Sequence, residues 1–65
     1  MKHFLNIVKS RWLPGNKEMI HEDKSGKQYI GPPITHSQGE TVIVEASDSQ
    51  LEDGYYHIVK VVGKY

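Results

Sequence analysis

Apolar and polar positions change rhythm along this chain in a way that marks five segments of strand character, each closed by turn-forming residues. The first covers residues 3–13 and stops at Leu13-Pro14-Gly15-Asn16, a strong turn signal. Read as a strand, it carries Phe4, Val8 and Trp12 on one face and Leu5 with Ile7 on the other. The same spacing of four also fits one face of a helix, so an N-terminal helix over residues 3–12 stands as the alternative.

The second and third segments, residues 17–22 and 27–30, flank Asp23-Lys24-Ser25-Gly26. Asp opens a type I turn by bonding back to the backbone, and Gly26 supplies the left-handed residue that closes it. This predicts a hairpin with a Gly bulge. A short helix from Asn16 capped by Gly26 is the competing reading. Gly31-Pro32-Pro33 then ends any regular element, because neither proline can donate to a ladder. Residues 34–39 read as an exposed loop anchored by Ile34.

The fourth strand spans residues 40–46, with Val42, Val44 and Ala46 on one face. Residues 47–54 begin in Ser and Asp and end in Gly, which suits a single helical turn pinned by Leu51. The last strand, residues 55–62, is apolar on both faces. Such a strand is central, or it bridges two halves of a curled sheet.

Composition sharpens this into a fold class. Six Val and six Ile stand against three Leu and one Ala, and branching at Cβ suits a pleated strand better than a helix. A chain of 65 residues has room for one domain, residues 1–65, and buries only about 60% of its unfolded surface. The expectation is a mainly β fold: a small five-stranded antiparallel curled sheet or barrel, Src-homology-3-like or of the oligonucleotide-binding (OB) type. The alternative is an α+β domain with the helix at 3–12.

Two fragments carry a family resemblance. Gly39-Glu40-Thr41-Val42-Ile43-Val44 resembles the strand entry of Src-homology-3-like barrels, and the stretch from Asp53-Gly54-Tyr55-Tyr56 to Val61 is similar to a strand of Tudor-like domains. Both resemblances imply a small barrel, and neither implies a ligand.

The absence of cysteine excludes disulfides and thiolate zinc sites. Stability must then come from an ordinary core, self-association or a partner. Asn6 and Lys9 interrupt the apolar start well short of a secretory signal, and no stretch approaches the roughly 20 apolar residues of a membrane span. A cytoplasmic protein without membrane contact is expected.

Chemistry is sparse. There is no phosphate-cradling glycine loop, nucleophile elbow or two-histidine metal motif. The histidines at 3, 21, 36 and 57 are too dispersed to predict a shared metal site. Neighbouring Ser37 and His36 do not make a triad, which geometry defines. No enzymatic activity, small-molecule substrate, cofactor or metal is expected.

Charge is more informative. Formal net charge is zero. Yet residues 1–27 hold Lys2, Lys9, Arg11, Lys17, Lys24 and Lys27, whereas residues 28–59 contain acids and no Lys or Arg. The leading expectation is therefore a protein-binding module, such as a small regulator, inhibitor or assembly factor. Its acidic face would comprise Glu40, Glu45, Asp48, Glu52 and Asp53, with Tyr55. Self-association belongs to the same expectation. The alternative is a nucleic-acid-binding small barrel that uses Lys9, Arg11, Trp12, Lys17 and Lys27 as a basic and aromatic platform.

Overall fold

The Cβ-branched runs and the turns between them form strands along the whole chain, and no residue is helical. The computed structural model describes all residues from 1 to 65. It contains β1 (Lys2–Leu5), β2 (Ile7–Trp12), β3 (Met19–Asp23), β4 (Gln28–Gly31), β5 (Val42–Ala46) and β6 (Tyr56–Lys64). The helix considered for residues 3–12 does not form; the segment is extended on both sides of Asn6. Nor do residues 47–54 make a helical turn: they form bends and a reverse turn, and Leu51 is exposed rather than a pin. With no helix, there is none long and apolar enough to cross a membrane.

The strands form one mixed sheet in the order β1-β5-β6-β4-β3-β2. Four contacts are antiparallel, and β4 lies parallel to β6, with Tyr29 beside Tyr56 and Ile30 beside His57. A wholly antiparallel sheet was the simplest expectation because sequence neighbours joined by short turns pair that way. The parallel contact joins strands separated by residues 32–55, and parallel pairing needs such a long connection. As expected, β6 bridges the two halves, meeting β4 at its start and β5 along the rest.

The two edge strands, β1 and β2, are consecutive in the chain and separated only by Asn6. They do not pair with each other, so the sheet is not closed. The chain nevertheless passes from one edge to the other through a single residue, which forces the sheet to curl. Asn6 is tied on both sides of this corner. Its side-chain Nδ2 donates to Thr41 Oγ1 (2.8 Å), and its carbonyl accepts from Lys24 N–H (3.0 Å).

The core lies inside the curl. Leu5 and Ile7 flank the corner and meet Val42, Val44, Ala46 and Tyr29, with Ile34, Tyr56 and Ile58 packed against them. The alternation read for β5 holds, since Val42, Val44 and Ala46 are its buried positions. Asp23 closes the β3–β4 turn as expected. Its Oδ1 accepts from Ser25 N–H (3.0 Å), Ser25 Oγ (2.6 Å) and Lys27 N–H (3.1 Å), while Gly26 adopts φ +92°.

A bulge at Val8 alters one face assignment. Ile7 pairs with Asp23 but Lys9 pairs with Glu22, which leaves Val8 as the extra residue. One inserted residue reverses the alternation beyond it. Ser10 and Trp12 therefore share the face of His21 and Met19, while Lys9 and Arg11 turn outward beside Glu22 and Ile20. The face expected to hold Phe4, Val8 and Trp12 together is divided at this point.

Gly31 packs directly against β6: a Cβ there would stand 2.6 Å from Ile58 Cβ. That atom sits next to the backbone and cannot swing away. Gly31→Ala should lower stability by about 1–3 kcal/mol through overpacking. Gly63→Ala, where a Cβ meets nothing within 4 Å, should change it by less than about 0.5 kcal/mol. Urea melts of the two variants against the parent chain measure the difference.

Candidate functional site

The polar groups inside the curl are satisfied by specific partners and serve the fold. His21 is fully buried on β3. Its Nε2 lies 2.9 Å from the Pro32 carbonyl, which can only accept, so Nε2 carries the hydrogen. Nδ1 then accepts from the Ser10 hydroxyl at 2.8 Å. Burial lowers the His21 pKa below its ordinary value; the Pro32 contact opposes this, and His36 nearby adds to the lowering.

A second braced group joins the two half-sheets. His3 on β1 contacts the Ser47 carbonyl through Nε2 (3.0 Å) and the Tyr29 hydroxyl through Nδ1 (3.1 Å). Its ring meets Tyr29 and Tyr56 edge-on, with centroids 5.4 Å from each, and the two tyrosines stack at 4.9 Å. Burial first, then Asp23 and Tyr56, push the Tyr29 hydroxyl up to about 12, so it remains a donor at neutral pH. The histidines do not converge with each other or with carboxylates as a metal-binding group of three.

The acidic set divides into locally held groups. Glu45 and Asp48 lie 3.5 and 3.7 Å from the Met1 amine, and Glu40 lies 3.8 Å from Lys64 Nζ while accepting from Ser37 N–H. Asp53 Oδ2 contacts His57 Nε2 at 2.6 Å. The Tyr55 backbone N–H, followed by the His57 ring, holds the Asp53 carboxyl below its ordinary value. Glu52 is exposed with no such contact. Glu45, Asp48, Glu52 and Asp53 cluster at the β5–β6 end of the molecule, whereas Glu40 stands before the opposite end of β5. Tyr55 leaves this group: its hydroxyl accepts from Arg11 at 3.5 Å.

The basic set is arranged differently. Lys9 and Arg11 share the outward face of β2, in register with Glu22 and Gln28 in one row and with Ile20, Ile30 and His57 in the next. Glu22 is engaged by Gln28 Nε2 at 3.3 Å. Lys17 occupies the β2–β3 turn, where Gly15 and Asn16 take left-handed φ values of +96° and +55°. Lys27 lies 5.9 Å from the Tyr56 ring centroid, within cation–π range. Trp12 stands on the reverse face beside Met19 and is half exposed. It is therefore not adjacent to Lys9 and Arg11 across the sheet.

Residues outside both sets also line a surface feature. Asn6, Ile7, Val8, Lys24, His36, Gln38 and Gly39 surround a cleft of about 590 Å³. The sequence offered no signal for it, because it draws on the corner, the hairpin turn and the 36–39 loop together.

No protein-family model, curated protein or solved structure matches this chain.

The His21 arrangement has a pH consequence. An unfolded histidine titrates near 6.5, whereas the buried one titrates lower, so the unfolded chain binds more protons over that interval. The stabilisation is complete above pH 6.5 and is lost as pH falls below it. His21→Gln, which keeps a side-chain donor for Pro32, should lose less stability than the parent between about pH 7.5 and about pH 5. Urea midpoints at the two pH values test this; equal losses would show that His21 does not carry the effect.

Proposed function

We propose that the chain is a non-enzymatic binding module for single-stranded nucleic acid, acting through the outward face of β2, β3 and β4 and the loops beside it. The observation that carries this reading is the unequal use of charge. Among the lysines and the arginine, only Lys64 forms an ion pair. Of the eight acids, Glu22, Asp23, Glu40, Glu45, Asp48 and Asp53 are held by amines, rings or N–H donors, and Glu18 and Glu52 have no side-chain partner. The β2–β4 half with its turns thus holds five cations without an ion pair, Lys9, Arg11, Lys17, Lys24 and Lys27, against three acids, Glu18, Glu22 and Asp23.

Topology supports the same reading. With β1 and β2 counted as one strand bent at Asn6, five strands form a partly open curl with a parallel contact between the third and fifth. That arrangement fits the OB-like expectation better than an antiparallel meander. In OB folds the face of the second and third strands, together with the first-to-second and fourth-to-fifth loops, binds oligonucleotides. Here Lys17 stands in the first-to-second loop and Tyr55 in the fourth-to-fifth, while Lys9 and Arg11 lie on the first strand, on the face it shares with the second and third. Tyr55 and His57 supply rings for base stacking, and the cations supply phosphate contacts.

A protein partner or self-association is the second reading, favoured by a separate observation. Phe4, Val59, Val61, Val62 and Tyr65 are exposed on β1, β6 and the C-terminus, with Val59 at 80% and Tyr65 at 87%. Beyond His57, β6 pairs only on its β5 side.

The test is fluorescence anisotropy with a labelled oligothymidylate or oligouridylate about 12 nucleotides long, within the ~4–16 nucleotides of one OB fold. Binding should weaken with salt, with a log–log slope of about −2 if Lys9, Arg11 and Lys17 each neutralise one phosphate at ~0.7 apiece. Lys9→Glu with Arg11→Glu should reduce affinity about tenfold or more. No binding at low salt, salt-independent binding, or an unchanged double variant would each reject the reading.

A further inference from the structure

The cleft at the Asn6 corner stands apart from the outward face of β2, β3 and β4. Its walls come from three places that the fold brings together. Asn6, Ile7 and Val8 belong to the corner and the bulge, Lys24 to the β3–β4 turn, and His36, Gln38 and Gly39 to the loop before β5. The cleft measures about 590 Å³, within the 300–1,000 Å³ typical of small-ligand sites.

Three features define what it would accept. Its lining contains a lysine and a histidine and no carboxylate. Two acids adjoin the lining in sequence: Asp23 is buried with its Oδ1 occupied by Ser25 and Lys27, and Glu40 Oε1 is occupied by Ser37 N–H and lies 3.8 Å from Lys64 Nζ. Lys24 has no ion-pair partner, so its charge is uncompensated beside the cleft. Finally, His36 Nδ1 is sealed from solvent and has no hydrogen-bond partner, the sole buried side-chain polar atom in this condition. A buried polar atom without a partner is costly and calls for an explanation in terms of water, an ion or a ligand. His36 is itself one of the residues that line the cleft.

We propose that this cleft binds a phosphate group. Lys24 supplies the fixed positive charge, while the His36 ring and the Asn6 and Gln38 amides supply hydrogen-bonding groups around it. The phosphate has two possible sources: a free phosphate or mononucleotide, or one backbone phosphate of a bound strand. The second source deepens the nucleic-acid reading and rests on it, whereas the first is independent of it.

The experiment uses the full chain with ¹⁵N-labelled histidine and backbone amides. Inorganic phosphate, adenosine monophosphate and the oligothymidylate are titrated separately, with chloride at matched ionic strength as the control. The expected result is a saturable shift of the His36 ring nitrogens and of the Lys24 and Gln38 amides, absent with chloride. Lys24→Met should weaken it about tenfold or more. In the oligonucleotide arm it should also reduce the salt slope by about 0.7.

Saturation by phosphate or the mononucleotide supports a free ligand, and saturation by the oligonucleotide alone supports a backbone phosphate. No shift at His36 with any of the three overturns the cleft, as does an undiminished response in Lys24→Met. The two proposals fail separately. Oligonucleotide shifts confined to Lys9, Arg11 and Tyr55 would leave the sheet face standing without the cleft. A phosphate response without oligonucleotide binding would leave the cleft standing without the sheet face.

Discussion

The structure depends on one corner. At Asn6 the chain leaves one edge of the sheet and becomes the other edge, so a six-stranded ladder must wrap until its two ends lie one residue apart. Asn6 holds that bend through Thr41 on one side and Lys24 on the other. Leu5 and Ile7, the residues flanking it, are the points where the first strand enters the core. Without the corner the two half-sheets would have no common inner face, and a chain this short has no other material with which to cover one.

Inside the curl, packing and polar satisfaction are achieved together. Tyr29 fills the centre, stacks on Tyr56 and bonds to His3, which in turn contacts the Ser47 carbonyl. His21 links the Ser10 hydroxyl to the Pro32 carbonyl, so it ties β2 and β3 to the segment that follows β4. Such groups make few contributions individually, since a hydrogen bond adds only about 1 kcal/mol net. Leaving any of them unpaired would cost more, and this asymmetry favours one arrangement of a small core over its competitors.

The same geometry sorts the charges. Near the β5–β6 loop Glu45 and Asp48 lie beside the amino terminus and Asp53 beside His57, while Lys9, Arg11, Lys24 and Lys27 form no ion pair. The net charge of zero therefore describes the surface poorly. The Val8 bulge is decisive here, because it turns Lys9 and Arg11 outward and Trp12 to the reverse face. Arg11 then meets Tyr55 from the far end of the chain, so a residue that sequence grouped with the acids stands beside a base.

Much of the local structure was legible in the residues themselves. The Val and Ile excess, the Asp23–Gly26 turn, the alternation of Val42, Val44 and Ala46, and the two-faced apolar character of β6 each reflect short-range stereochemistry. Such stereochemistry acts on neighbours in the chain. The parallel β4–β6 contact, the break at Asn6, the bulge and the Asn6–Lys24–His36 cleft were not legible, nor was the loss of the Leu51 turn. They arise from contacts between residues far apart in sequence, where one inserted residue reverses a face and a corner decides which loops meet. Sequence by itself determined that this chain forms strands and where most of them turn. The tertiary structure alone decided which faces point outward, because burial is settled only when distant strands compete for the same small interior.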